Sequence, residues 1–307
     1  MRIVSYGAPR QWKPGIDIGD AVADTAVVLQ LAGWPEAERT LVRSNRDLLG
    51  FTTARVLALG ETARSRRAEL AAAGALHALE AVHLGPPVPD PEKIICIGLN
   101  YIDHAAEVGA ALPDEPMFFA KYANSLIGPA DEIAPPAHAL KVDYEAELAV
   151  VIGRRGRDIA PGDALQHVAG AMAFNDVSAR DLQLANQLWT GGKAIDTFAP
   201  CGPALVLKEA LPDLQALRLR TRIGDRVLQD GTTASMKFGV AAIIAFLSRI
   251  MTLEPGDIIA TGTPAGVAAA HSPPRYLQPG DVVEVEVEGI GTLRNRVRAA
   301  PEGAERA

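Results

Sequence analysis

Two glutamates in the run "VDYEAELAVVIG", Glu145 and Glu147, stand two residues apart in a stretch rich in Val, Ile and Leu and closed by Gly153. That composition reads as a β-strand. Alternation points both carboxylates to one face, roughly 7 Å apart. Ala149 and Val151 continue that face, while Tyr144, Ala146, Leu148, Val150 and Ile152 fill the other, so both faces are predicted to be buried. Two like charges on a buried face require neutralisation. A hard divalent cation would supply it, because Mg²⁺ and Mn²⁺ take oxygen ligands. Asp176, closing the run "HVAGAMAFND" ahead of "VSARDLQ", is the candidate third ligand, although an Asp there also suits a helix start. The other acidic run, "DVVEVEVEG", alternates cleanly, with Glu284, Glu286 and Glu288 on one face. It is predicted to be a half-buried antiparallel strand with a wet acidic face.

"DHAAEVG" spaces His104 and Glu107 at i, i+3. On a short helix this puts both on one face, where the carboxylate orients and charge-stabilises the imidazole, as a general base requires. A histidine beside an acid in a loop is otherwise simply solvated. The segment closed by Gly109 and Pro113 reads as a mobile lid. His77, His83, His138, His167 and His271 lack a partner at useful spacing and are expected on the surface or in loops. Cys96 and Cys201 sit in apolar settings without C-x-x-C spacing and are expected in the core.

The elements that must hold these groups divide at the proline cluster Pro86–Pro91. Residues 1–85 mix short strand and helix signals and are predicted to form a small N-terminal accessory domain; 86–92 reads as a Pro-rich linker and 93–307 as the larger domain. Beyond the linker, short strand candidates dominate: "KIICIGLN", "AELAVVIG", "HVAGAMAFN", "ALRLRTRIG", "RVLQD", "DIIATGTP", "DVVEVEVEG" and "TLRNRVR", with Gly224-Asp225 as a hairpin turn. Pro-Gly-Asp occurs at 161, 255 and 279 and twice precedes a strand, which suits a type II turn. Helical signals are "SARDLQLANQL" and "SMKFGVAAIIAFLSRI", the latter with Ser235 as N-cap. The fold class is therefore mostly β with peripheral helices, α+β, as a sandwich or roll.

The chain has 307 residues, 48% hydrophobic and 22% charged, ordinary for a globular protein. A net charge of -7 and the absence of a Lys/Arg cluster interleaved with aromatics argue against nucleic acid as a partner. No apolar run is long enough to span a bilayer and the N-terminus lacks a signal peptide's apolar core, so a cytoplasmic protein with no membrane partner is expected.

Five motifs, "NYIDHAAE", "DYEAELAVVIG", "AFNDVSARDLQ", "GKAIDTFAPCGPALV" and "IIATGTPAGV", in this order and at these spacings, resemble the fumarylacetoacetate hydrolase family in its shorter prokaryotic-type branch. The resemblance runs from about Lys93 to Val297, and it implies a mixed β-sandwich roll, a homodimer, and Mg²⁺- or Mn²⁺-dependent chemistry on short 2-oxo and 2,4-dioxo acids. It assigns Glu145, Glu147 and Asp176 as metal ligands and His104 with Glu107 as the water-activating pair. Arg180, Gln183, Lys193 and Thr263 match positions lining the substrate pocket, with Lys193 or Gln183 placed to stabilise an oxyanion. Asp103 matches an additional metal ligand of the longer branch. The implied activity is hydrolysis of a C–C bond in an acylpyruvate or fumarylpyruvate through a metal-held enolate. Decarboxylation of oxaloacetate, keto–enol or double-bond isomerisation of 2-oxo or 2-hydroxydienoic acids, and hydration remain open on the same site. A phosphoesterase would want a second metal or a basic surface. A non-catalytic 2-oxo acid binding module is the remaining rival.

Overall fold

The computed structural model describes residues 1–186 and 188–299. Its centre is the strand Ala146–Ile152, in which all seven residues are buried. A strand with two buried faces needs a layer on each side. Ala149 and Val151 face one apolar cluster, which also contains Leu29, Leu48, Val56 and Leu59 from the N-terminal helices. Leu148, Val150 and Ile152 face another, completed by Ile243, Ile244 and Leu247 of the helix Val240–Ile250 and by Leu219, Val285 and Leu293 of a second sheet. Truncating Leu148, which is fully buried, to Ala would cost about 2–5 kcal/mol.

The strand lies in a sheet of 12 strands. Antiparallel neighbours Val168–Asn175 and Ile258–Ala260 flank it, and Ile258–Ala260 in turn pairs parallel with Ile94–Gly98, so the sheet is mixed. The second sheet, of four antiparallel strands, runs Arg226–Thr232, Arg218–Ile223, Val282–Val287, Gly291–Arg296. Together these form the mostly-β sandwich with peripheral helices that the strand pattern predicts. In Val282–Val287 the valines at 283, 285 and 287 are buried and the glutamates half-exposed, as alternation requires. Gly256 and Gly280 take φ of +87° and +92°, and Asp257 and Asp281 donate backbone N–H to Glu254 and Gln278 carbonyls at 3.0 Å. Both turns are thus of the type that demands Gly at the third position.

Within the Pro-rich segment, Pro86, Pro87 and Val88 are buried. Pro87's carbonyl accepts hydrogen bonds from Ser5 Oγ at 3.1 Å and Asn45 Nδ2 at 2.8 Å. The sheet also crosses it, because Arg2–Ala8 pairs directly with Ala199–Leu207. Several expectations need correction. The helix expected from Ser235 starts instead at Val240, with Gly239 as N-cap. Asn100 claims the intervening backbone, accepting Phe238 N–H at 2.9 Å while its own carbonyl accepts Lys237 N–H at 2.7 Å. The helix expected over "SARDLQLANQL" is confined to Arg180–Gln183. His167 is buried, its Nδ1 lying 2.9 Å from the Arg154 carbonyl. His83 stacks on Trp12 and lies 2.9 Å from Asp131. Cys96 and Cys201 are core residues whose thiol pKa values burial pushes up.

Candidate metal and acid–base site

Glu147 lies on the central strand, with Glu145 just before it, and Asp176 follows the neighbouring strand Val168–Asn175. Antiparallel register sets Ala146 against Asn175, so strand pairing alone brings the three acids to one edge. A carboxylate oxygen of each lies within 4.8 Å of those of the other two, and all three residues are buried.

Protein cations already answer part of the charge. Lys193 Nζ donates to Glu145 Oε2 and Asp176 Oδ2, both at 2.7 Å. Lys121, fully buried at the end of the strand Met117–Lys121, donates to Asp176 Oδ1 at 2.6 Å and to the Val177 carbonyl at 3.0 Å. Arg180 binds Asp143 Oδ2 through Nε at 2.8 Å, and its Nη2 forms an ion pair with Glu145 Oε1 at 2.7 Å. Protein cations therefore share in the compensation for which the sequence pointed to a divalent ion. Four buried carboxylates (Asp143, Glu145, Glu147 and Asp176) meet three cations.

Glu147 is the one left over: among the described residues its carboxylate accepts only the Gly262 N–H, at 2.9 Å. Burial, and then the facing charges of Asp176 and Glu145, push its pKa well above the ordinary value. Burial would do the same to Glu145, but Lys193 and Arg180 outweigh it and hold that carboxyl at about 2. The two lysines also part company. Burial lowers the pKa of Lys121, which touches one carboxylate, whereas Lys193 gains more from Asp176 and Glu145 than burial costs and ends raised. An all-oxygen cluster with one negative charge in excess fits a hard divalent ion such as Mg²⁺ or Mn²⁺, held by Glu145, Glu147 and Asp176.

The acid–base pair forms beside this cluster. Ile102–Glu107 is a helix, with His104 Nδ1 3.3 Å from Glu107 Oε2. Glu107 is pinned from the other side by the Gly266 N–H, 2.9 Å from Oε1. His104 is near enough to the cluster for its charged form to help keep Glu145 ionised. Asp103 faces solvent and accepts the His104 backbone N–H at 2.9 Å, so it stays outside the carboxylate cluster. Gln183 Oε1 accepts from Arg180 Nη1 at 2.9 Å, and its amide nitrogen makes no hydrogen bond among the described residues. Thr263 is committed within the protein: its hydroxyl donates to the Ala146 carbonyl at 2.9 Å and accepts from Gln229 Nε2 at 2.8 Å.

Two residues escape a reading of the sequence. Lys121 is one lysine closing an apolar run, with no acid at strand spacing to flag it. Asp143 is fully buried and accepts the backbone N–H groups of Ala268 at 2.7 Å and Ala269 at 3.1 Å as well as Arg180. Its position two residues before Glu145, inside the same acidic run, is the only signal it carries.

The fold and site define a β-rich scaffold with a buried carboxylate triad that could hold a metal ion, beside a His–Glu pair. The chain belongs to the fumarylacetoacetate hydrolase family: the family model described as fumarylacetoacetate (FAA) hydrolase C-terminal matches residues 93–298. A human protein named mitochondrial oxaloacetate tautomerase FAHD2A is 43% identical over 303 residues, covering 97% of this chain and 91% of that protein. Among solved structures, a fumarylacetoacetate hydrolase from psychrophilic Exiguobacterium antarcticum aligns with a TM-score of 0.76 at 34% identity, covering 97% of this chain and 99% of its own. A maleylpyruvate hydrolase from Sphingobium sp. SYK-6, solved with manganese(II) and pyruvate, aligns with a TM-score of 0.73 at 29% identity, over 98% of this chain and 100% of its own. Members of this family are enzymes, both hydrolases and tautomerases or isomerases. No helix among the described residues is long and apolar enough to cross a membrane.

Proposed function

We propose that this protein is a divalent-metal-dependent enzyme that enolises short 2-oxo acids, and that its reaction is the keto–enol tautomerisation of oxaloacetate. The enolising chemistry is carried by one juxtaposition, a histidine oriented by a carboxylate next to three converging acids. The choice of substrate rests on the 43% identity to a protein named oxaloacetate tautomerase. This takes up the keto–enol conversion left open by the motifs in place of C–C hydrolysis as the principal reaction.

With Nδ1–H donated to Glu107, His104 presents Nε2 as the base that takes a proton from C3 of the keto acid. The electron pair of that C–H bond moves into a C2–C3 double bond, and the C2 oxygen acquires the negative charge and then the proton. No water is consumed and nothing leaves. Glu145, Glu147 and Asp176 would hold a divalent ion, which when bound would supply Lewis acidity. Lys193 adds an ammonium at the same cluster, and the Gln183 amide nitrogen and the Arg180 guanidinium orient the substrate's carboxylate end.

A second reading is favoured by the same pair. His104 and Glu107 also suit activation of a water for cleavage of an acylpyruvate, and one structural relative is a maleylpyruvate hydrolase with manganese and pyruvate bound. The deciding assay follows the enol absorbance of oxaloacetate and, separately, cleavage of acetylpyruvate and fumarylpyruvate, each with Mn²⁺ or Mg²⁺ and with chelator. Metal-dependent acceleration of enol–keto exchange at rates well above any cleavage supports the proposal. Efficient cleavage with no effect on oxaloacetate would replace it by the hydrolase reading.

A further inference from the structure

Gln229 lies outside the cluster, on the small sheet's strand Arg226–Thr232, yet its carboxamide is buried and all four of its hydrogen-bonding positions are filled. Oε1 accepts from the Ala146 backbone N–H at 2.9 Å and from Thr221 Oγ1 at 2.7 Å. Nε2 donates to Thr263 Oγ1 at 2.8 Å and to the Pro264 carbonyl at 2.9 Å. Ala146 stands between Glu145 and Glu147, and Thr263 and Pro264 stand between Gly262, whose N–H holds Glu147, and Gly266, whose N–H holds Glu107. One side chain therefore ties the glutamate strand to the loop that grips a cluster carboxylate at one end and the base's orienting carboxylate at the other.

The same strand shapes that loop sterically. A Cβ on Gly266, which has φ of +105°, would meet the Leu228 carbonyl at 2.1 Å, and a Cβ on Gly231 would meet Pro264 Cβ at 2.4 Å. Leu228, Gln229 and Gly231 thus form a template against which residues 262–266 are laid.

We propose that Gln229 is a positioning residue: through Thr263, Pro264 and Ala146 it sets the distance between the His104–Glu107 pair and the Glu145–Glu147–Asp176 cluster. The inference rests on the functional reading above. Outer-shell partners of this kind change metal affinity or activity by about 10–100-fold when removed.

The test compares the parent with Gln229→Leu, which removes the four hydrogen bonds, and with Gly231→Ala, which keeps them but pushes Pro264. Val227→Ala is the control, since Val227 is on the same strand and 47% exposed. The measurements are Mn²⁺ affinity by calorimetry, amide exchange of the 261–267 segment, melting temperature, and kcat and KM on oxaloacetate. Both test variants are expected to exchange faster in 261–267, to bind Mn²⁺ at least about tenfold more weakly and to lose kcat by about 10–100-fold with a smaller change in KM. Val227→Ala is expected to match the parent. A lowered melting temperature with kcat and Mn²⁺ affinity of the folded protein unchanged would overturn the proposal. A parent that neither binds Mn²⁺ nor acts on a 2-oxo acid would instead remove the functional reading beneath it.

Discussion

Replacing Glu147 by Gln in chelator-treated protein is expected to raise the melting temperature, and replacing Glu145 by Gln to lower it. The two side chains stand two residues apart and differ only in their partners. Glu145 is held at about 2 against an ordinary 4.5; at about 1.4 kcal/mol per unit, the cost of its burial and the larger gain from Lys193 and Arg180 net to roughly 3 kcal/mol. Because that pKa is depressed in the folded state, the contribution is fully present above the unfolded value and lost only as pH falls through about 2. Neutralising it at pH 7 also takes one carboxylate from each of two buried cations, leaving Lys193 to Asp176 and Arg180 to Asp143. Glu147 has the opposite sign: its ionised form is disfavoured by burial and by Asp176 and Glu145, so an uncharged isostere that still accepts the Gly262 N–H relieves repulsion. For a chain of 307 residues a change of 1 kcal/mol moves the melting temperature by about 1.5–2 °C, so calorimetric scans in chelator resolve both shifts. A fall of similar size in both variants, or a fall in Glu147→Gln alone, would refute the charge assignment.

Substituting His104 by Asn is expected to leave Mn²⁺ binding within a few-fold of the parent while lowering kcat on oxaloacetate by about 10²–10⁴-fold, the range for a lost general base; unchanged kcat would displace His104 from that role. Lys121→Met removes a buried cation 2.6 Å from Asp176, so Mn²⁺ affinity should rise, read by titration; unchanged or weaker binding would contradict the charge balance. In chelator, stability should fall as pH rises through the elevated pKa of Glu147, because a folded-state pKa above the unfolded one stabilises below the unfolded value and is lost above. Urea denaturation across a pH series measures this, and Glu147→Gln should flatten the slope.

The elements that alternation marks are the ones that formed. The run 146–152 has two buried faces, 282–287 has one, and the 3.6-residue spacing in "DHAAE" places His104 over Glu107. What pattern does not carry is partnership at long range. Lys121 and Asp176 are 55 residues apart in the chain and 2.6 Å apart in space, and nothing local in either stretch predicts it. For the same reason Glu145 and Glu147 are equivalent by sequence and opposite in electrostatics, since Lys193, Arg180 and Gly262 arrive from elsewhere. The proline cluster is ambiguous in a different way: Pro86 and Pro87 lack N–H donors, which suits them to a buried strap whose carbonyl is served by Asn45 and Ser5 as well as to an exposed linker.

Titration of Mn²⁺ into chelator-stripped protein, with the Glu147→Gln variant alongside, tests most directly whether Glu145, Glu147 and Asp176 jointly hold a divalent ion. The parent should take up one ion per chain, held by the three carboxylates, and the variant, which lacks one of the three ionisable ligands, should bind measurably more weakly. Equal binding by the two proteins, or no binding by the parent, would contradict it.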